Sequence, residues 1–233
     1  MGHIAYAQAW DYQFVLQKEL IEGKLAARRV LQEGEGETPL DFIQKHYLLF
    51  CEHNPVYTLG KSGSIDHLLL DEKGLNTEGV AFFKINRGGD ITYHGPGQIT
   101  GYPIFDLDYF FNDVHKYVRS LEEVIIRTLA EYDLAGIRIK EYTGVWLEGT
   151  SEQPKRKICA IGVHLSRWVT MHGFAFNINT DLKYFKNIIP CGINDSDKTV
   201  TSLASELQRP IDVEAVKEKL KKHFAAVFGF DFF

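Results

Sequence analysis

Residues 87–98 read RGGDITYHGPGQ, with four glycines and a proline in twelve positions. Glycine inside a helix costs about 0.5–1 kcal/mol against alanine, and proline about 3 kcal/mol, so no helix runs through this stretch. It is also poorly suited to a core strand, because glycine offers no side chain to pack and proline no donor. The chain must therefore build its helices and strands on either side. The stretch itself reads as tight turns of bare backbone, bracketed by Arg87 and His94.

Upstream, apolar residues at helical spacing (Trp10, Phe14, Val15, Leu20, Leu25) predict one long helix over Ala7 to Gln32, closed by EGEGETP. HYLLFCEH and VYTLG read as a pair of strands parted by the turn dipeptide Asn54-Pro55. A short helix or coil from Ile65 to Asn76 leads to VAFFKIN, a buried strand. Downstream, QITGYPIFDL is a strand, and Asn112 caps an amphipathic helix reaching Tyr132. GIRIKEY with GVWLE, KICAIGVHLS and VTMHGFAFNIN read as further strands, and GTSEQPK as an exposed hairpin loop. Asp181 to Ile189 forms a short helix that Pro190 breaks, and IDVEAVKEKLKKHFAAVFG a final amphipathic helix. Helices and strands interleave without a strict βαβ rhythm. The expected class is α/β (α+β), a mixed sheet flanked by helices in one domain spanning 1–233.

At 233 residues and 45% hydrophobic, the chain has ample material for a core and is no disordered segment. A net charge of −5 argues against a nucleic-acid partner. No apolar run reaches the roughly 18 residues of a membrane span, so no membrane partner is expected. Three cysteines without a CxxC pair, and no basic leader before an apolar run, point to a reduced, cytoplasmic setting. There the sequon Asn194-Asp195-Ser196 has no consequence.

Two nucleotide-binding patterns nearly form. LGKSG has the end of a phosphate loop, but Pro55 stands where its first glycine belongs, and GPGQITG has Thr100 in the third glycine position. Both read as turns. Nine histidines show no ligand-pair spacing; His94 and His172 can meet in space, but two histidines make no site, and no metal is expected. Chemistry has better candidates. Cys191, in NIIPCGIND, follows a proline and precedes a glycine, a corner where a thiol can stand clear of the chain or sit buried as a small hydrophobe. Cys51 and Cys159 lie in apolar strands and read as structural. A reactive thiol needs help, since its ordinary pKa is near 8.5. Lys157 adjoins the apolar run ICAIGV and can point inward, whereas Lys155 and Arg156 read as a solvated hairpin end. Tyr93, Phe174 and Phe176 can line an apolar slot beside the glycines.

RGGDITYHGPGQITGYPIFDL, KICAIGVHLSRWVTMHGFAFNIN, IIPCGI with TSL nearby, and YTLGKSG together resemble the lipoyl(octanoyl) transferases, also called lipoate-protein ligase B. The resemblance covers about half the chain, in order. It implies a fold like the catalytic domain of lipoate and biotin protein ligases, and no cofactor. It implies transfer of an octanoyl group from octanoyl-acyl carrier protein to a lysine of a lipoyl domain. The acceptors so implied are lipoyl domains of 2-oxoacid dehydrogenase complexes and the glycine cleavage H protein. The family's catalytic cysteine and lysine carry over to Cys191 and Lys157. Its acyl contacts carry over to Arg87, Gly88, Gly89, Asp90, Ile91, Thr92, Tyr93 and His94. They continue at Ala160, Ile161 and Gly162, then Gly173, Phe174 and Ala175.

On that resemblance the Cys191 thiolate attacks a thioester, and Lys157 serves first as acid and then as base. The glycine-rich wall admits the acyl chain, each buried methylene giving about 0.8 kcal/mol. His94 and Arg87 organise the slot's mouth, or Arg87 pairs with a core carboxylate. The alternatives are an ATP-dependent lipoate or biotin ligase, a cysteine thioesterase using His172 or His94 as base, and a non-catalytic carrier-protein binder. Arg28, Arg29, Lys155 and Arg156 offer positive charge to an acidic carrier.

Overall fold

The computed structural model describes residues 1–33, 45–150, 153–189 and 198–233. A long helix, α1 (Tyr6–Glu33), follows a two-residue strand, β1 (Gly2–His3). Then come β2 (Tyr47–Glu52), β3 (Val56–Leu59), α2 (Glu72–Glu78), β4 (Ala81–Lys84), β5 (Ile91–His94) and β6 (Gln98–Ile104). Helix α3 (Val114–Ala130) leads to β7 (Gly136–Ile139), β8 (Tyr142–Leu147), β9 (Lys155–Ser166) and β10 (Val169–Asn177). The chain closes with β11 (Lys198–Val200), α4 (Leu203–Leu207) and α5 (Val213–Phe228).

Among the described residues the strands form two mixed sheets. The larger runs β1-β2-β6-β10-β9-β8-β7, with β11 also pairing with β9; the smaller runs β4-β3-β5. β1 on β2, β11 on β9 and β4 on β3 are parallel, and the other pairs are antiparallel. The mixed α/β class is as expected. HYLLFCEH and VYTLG do form strands, but they do not pair with each other: β2 pairs with β6 and β3 with β5. VAFFKIN gives β4, an exposed edge rather than a buried strand, because only β3 pairs with it. The glycine-rich stretch is not all turn. Its central residues form β5, which is largely buried.

α3 and α5 pack on one face of the larger sheet, sharing a core that includes Leu121, Ile125, Phe174, Phe176, Leu220 and Phe224. Asp113, not Asn112, caps α3 by accepting from Lys116 N at 2.9 Å, and Asp212 caps α5. The opposite face takes α1, through Ala9, Leu16, Leu20 and Ile21 against Tyr102, Ile104 and Val169. Here the apolar pattern of the sequence misleads: Phe14 and Val15 are exposed, while Gln13, Gln17 and Lys24 are buried. Each of these polar residues has a partner across the interface. Gln17 Nε2 donates to Val169 O at 2.9 Å, Gln13 Oε1 accepts from His172 N at 3.0 Å, and Lys24 Nζ lies 2.7 Å from Asp106 Oδ1. Polar groups partnered this way are tolerated in a core face, although Gln13 Nε2 itself is buried without a hydrogen-bond partner.

Candidate active site

A cavity of about 410 Å³ opens between the two sheets, within the roughly 300–1,000 Å³ usual for small-ligand sites. Residues 87–92 and His94 line it from the smaller sheet's side. Ala160, Ile161 and Gly162 of β9, and Gly173, Phe174 and Ala175 of β10, line it from the larger sheet. Lys157, at the start of β9, faces the same space. Two stretches far apart in sequence, residues 87–94 and the β9–β10 hairpin, thus meet at one cavity. Tyr93 does not line it: its ring is on the other side of β5, stacked on Tyr184 at 4.7 Å among Tyr57 and Ile188. Phe176 does not line it either, because it packs in the core under α3 and α5. Cys191 lies outside the described residues, as does the sequon at Asn194.

The glycines bring backbones together. Gly88 N donates to Val163 O at 2.9 Å, so the loop before β5 rests on β9. A Cβ on Gly162 would lie 2.8 Å from Gly88 O, so glycine is what lets the loop approach. The near phosphate loop is already occupied: Gly60, Lys61 and Ser62 amides donate to the carbonyls of Asp90, Arg87 and Gly89. They strap that turn to the cavity wall and are not free to cradle a phosphate.

Arg87 is buried, and its Nη2 donates to Thr58 O at 2.6 Å and to Thr58 Oγ1 at 3.1 Å. Nη1 donates to Gly88 O at 3.0 Å, and among the described residues Arg87 forms no ion pair. Its Nε is buried without a hydrogen-bond partner, and burial lowers its pKa. Asp90 is engaged elsewhere: His67 Nδ1 lies 2.5 Å from Oδ2, and Oδ1 accepts from Ile91 N. His94 is buried and its pKa is held well below the usual histidine range, chiefly by desolvation. Its tautomer follows from its neighbours. Gln98 Nε2 spends its two hydrogens on Tyr93 O at 3.0 Å and Asn177 Oδ1 at 2.9 Å, leaving Gln98 Oε1 to accept from His94 Nδ1 at 2.9 Å. His94 Nε2 then accepts the Thr58 hydroxyl at 3.2 Å.

His172 is the one non-glycine residue inside a strand of the described chain with left-handed backbone, φ 60°. Gln13 of α1 holds its amide, its Nε2 lies 2.8 Å from Asn86 Oδ1, and burial drives its pKa down to about 3. Lys157 Nζ sits 4.5 Å from the centroid of the buried Trp146 ring, a cation–π contact. Arg156 is not solvated as expected: it is mostly buried and bonds Glu206 through Nε and Nη2, at 2.8 and 3.1 Å. Cys51 and Cys159 are buried free thiols whose pKa values burial raises, Cys51 to about 11, as inert structural cysteines should be.

The site includes residues that sequence reasoning missed. Tyr6, at the start of α1, lines the cavity and stacks on His94, centroids 5.7 Å apart. Val114 and Val118, one turn apart on α3, line it too, as do Tyr142 and Asn177. The spacing of the two valines was visible, but nothing in it distinguishes a cavity wall from core.

Residues 9–225 match the lipoyl protein ligase A/B catalytic domain family. Octanoyltransferase of Cytophaga hutchinsonii is 56% identical over 228 residues, covering 98% of this chain and 90% of that protein. Octanoyltransferase of Christiangramia forsetii is 57% identical over 230 residues, covering 98% and 93%. The chain belongs to the octanoyltransferase family. It is therefore an enzyme of the acyltransferase class. Its fold is also that of more distant solved structures. A bipartite lipoate protein ligase from Thermoplasma acidophilum superposes with TM-score 0.65 at 15% identity, over 93% of this chain and 80% of that one. Lipoate-protein ligase A bound with ATP gives TM-score 0.63 at 17% identity, over 81% and 75%. No helix of the described residues is long and apolar enough to cross a membrane.

Proposed function

We propose that this enzyme, as one catalytic domain, moves an octanoyl group from the thioester of an acyl carrier protein to a lysine amine of a lipoyl domain. The carrier of the group is a thioester on Cys191, and Lys157 handles the protons. The observation that supports this most is the meeting of two resembling stretches, the one around residues 87–94 and the one from Lys157 to Ala175, at one cavity, in a chain similar to octanoyltransferases over nearly its whole length. In the first half-reaction the Cys191 sulfur bonds the acyl carbon, and the carbon–sulfur bond to the carrier breaks. The Cys191 proton passes by way of Lys157 to the departing thiolate, giving a free thiol. In the second, neutral Lys157 removes a proton from the incoming ammonium, whose ordinary pKa near ~10.4 keeps it non-nucleophilic. The amine nitrogen bonds the acyl carbon and the bond from that carbon to the Cys191 sulfur breaks. Of the two protons the ammonium loses in becoming an amide, one passes through Lys157 to the Cys191 thiolate and the other leaves to solvent. Lipoyl domains of 2-oxoacid dehydrogenase complexes and the glycine cleavage H protein are the proposed acceptors. The setting is the reducing cytoplasm, where a thiol nucleophile persists.

Intact mass after mixing with octanoyl-acyl carrier protein tests the scheme. The expected result is a gain of one octanoyl unit, absent in Cys191→Ala and discharged by a lipoyl domain. Lys157→Ala should lose most turnover. Full transfer by Cys191→Ala, or dependence on ATP with free octanoate as donor, would overturn it.

A further inference from the structure

Two strands share one edge of β9. β10 covers it from Ser166 down to Cys159, and β11 takes over at Lys157, which pairs with Val200. Lys157 thus sits at a splice between two strands that are distant in sequence. Neither strand's ladder alone fixes how the other end meets it.

Asn177, the last residue of β10, bridges the splice. Its Nδ2 donates to Thr201 O at 3.0 Å, just past β11, and Thr201 N donates to Lys157 O at 2.9 Å. Asn177 is itself gripped from behind: it pairs in register with Gln98 of β6, whose Nε2 donates to Asn177 Oδ1. Gln98 in turn accepts from His94, which faces the cavity. On the outer side Thr201 Oγ1 donates to Glu206 Oε1 at 2.6 Å, and Arg156 holds the same carboxylate. Asn177 and Thr201 are both almost wholly buried, so a missing partner there leaves a backbone carbonyl unsatisfied.

We propose that Asn177, backed by Gln98, is a positioning residue: it fixes the backbone of Lys157 relative to the acyl cavity through Thr201. The inference rests on Lys157 acting as the proton carrier. It explains why a polar amide chain crosses β6, β10 and β11 where apolar residues would pack as well. Displacing a proton carrier by a fraction of an ångström reduces the chemical step while leaving acyl binding in place.

Steady-state kinetics with octanoyl-acyl carrier protein and a lipoyl domain test this. In Asn177→Ala, kcat should fall by about tenfold or more, KM for the donor should stay within about twofold, and the pH–rate profile should shift. Asn177→Asp keeps the size and the bond from Gln98 but sets a carboxylate oxygen against Thr201 O; it should show the same kcat loss even if the alanine variant folds poorly. Asn179→Ala is the structural control: Asn179 exchanges two bonds with Ile211, at 2.8 and 2.9 Å, ahead of α5. It should lower Tm without moving kcat or the pH profile. Wild-type kcat and pH profile in both Asn177 variants would overturn the proposal, as would a rise in KM with kcat unchanged, which would make Asn177 a substrate contact. Full turnover in Lys157→Ala would remove the reading beneath it and the proposal with it. A dead Lys157→Ala beside an unimpaired Asn177→Asp would sink the positioning role alone.

Discussion

Trp146 is fully buried, with its indole nitrogen donating to Tyr142 O at 3.2 Å, and the Lys157 ammonium rests over its ring. The ring's negative face favours the cationic amine, an interaction worth about 0.5–1 kcal/mol at a partly exposed site. Trp146→Phe retains much of the apolar volume but offers a weaker face. It should reduce kcat by about two- to fivefold, read in steady-state transfer assays, with KM for the donor little changed. Lys157 itself was legible in the sequence because it adjoins an apolar run. Trp146 was not, because its ring meets Lys157 only across the β8–β9 pairing, which shifts register between Val145 and Trp146. Tyr93 shows the reverse error. A strand alternates its faces, so a residue inside a recognised segment can still turn its side chain to the wrong side.

At the scale of elements, the cavity depends on how closely the loop before β5 lies on β9. Gly162→Ala would put a methyl 2.8 Å from Gly88 O and 3.1 Å from Arg87 Cδ. The loop must lift, weakening the Gly88 N to Val163 O bond. Overpacking of this kind costs about 1–3 kcal/mol. The variant should show a lower Tm and a raised KM for the acyl donor. Gly88→Ala is the contrast, since its added carbon meets only Val163 O, at an ordinary 3.5 Å, so Tm should hardly change. The glycine-rich stretch thus proved more than two turns. Its middle is a strand, because Ile91 and Tyr93 supply the burial that the flanking glycines lack. α1 also shows why periodicity alone misplaced a buried face: Gln13, Gln17 and Lys24 enter it because acceptors and donors on β10 and around Asp106 await them.

Across the whole molecule, His53, His94 and His172 are buried and their pKa values are lowered, His172 to about 3, each mainly by desolvation. A histidine kept neutral in the fold but free to protonate when unfolded favours the unfolded chain as pH falls below about 6.5. Stability should be flat from about pH 6.5 to 8 and decline below that range, by up to about 1.4 kcal/mol per pH unit for each such histidine. Carboxylates held low by cations, such as Glu131 at about 2, lose their contribution only below the ordinary carboxylate range. The window from about pH 5 to 6.5 therefore reports the histidines. Urea midpoints at pH 7.5 and 5 should show the decline, and His172→Gln should make it shallower; equal slopes would contradict the assignment.

The sequence by itself determined the class of fold, nearly every element, the segments that line the cavity and the family. These follow from local periodicity, turn chemistry and contiguous motifs, which need no knowledge of what lies across the sheet. Only the tertiary structure decided that β2 and β3 part into different sheets, that Arg87 bonds Thr58, and that Lys157 sits at a splice between β10 and β11. Those outcomes depend on which distant groups meet, because a buried polar atom is stable only beside a partner the chain brings from elsewhere.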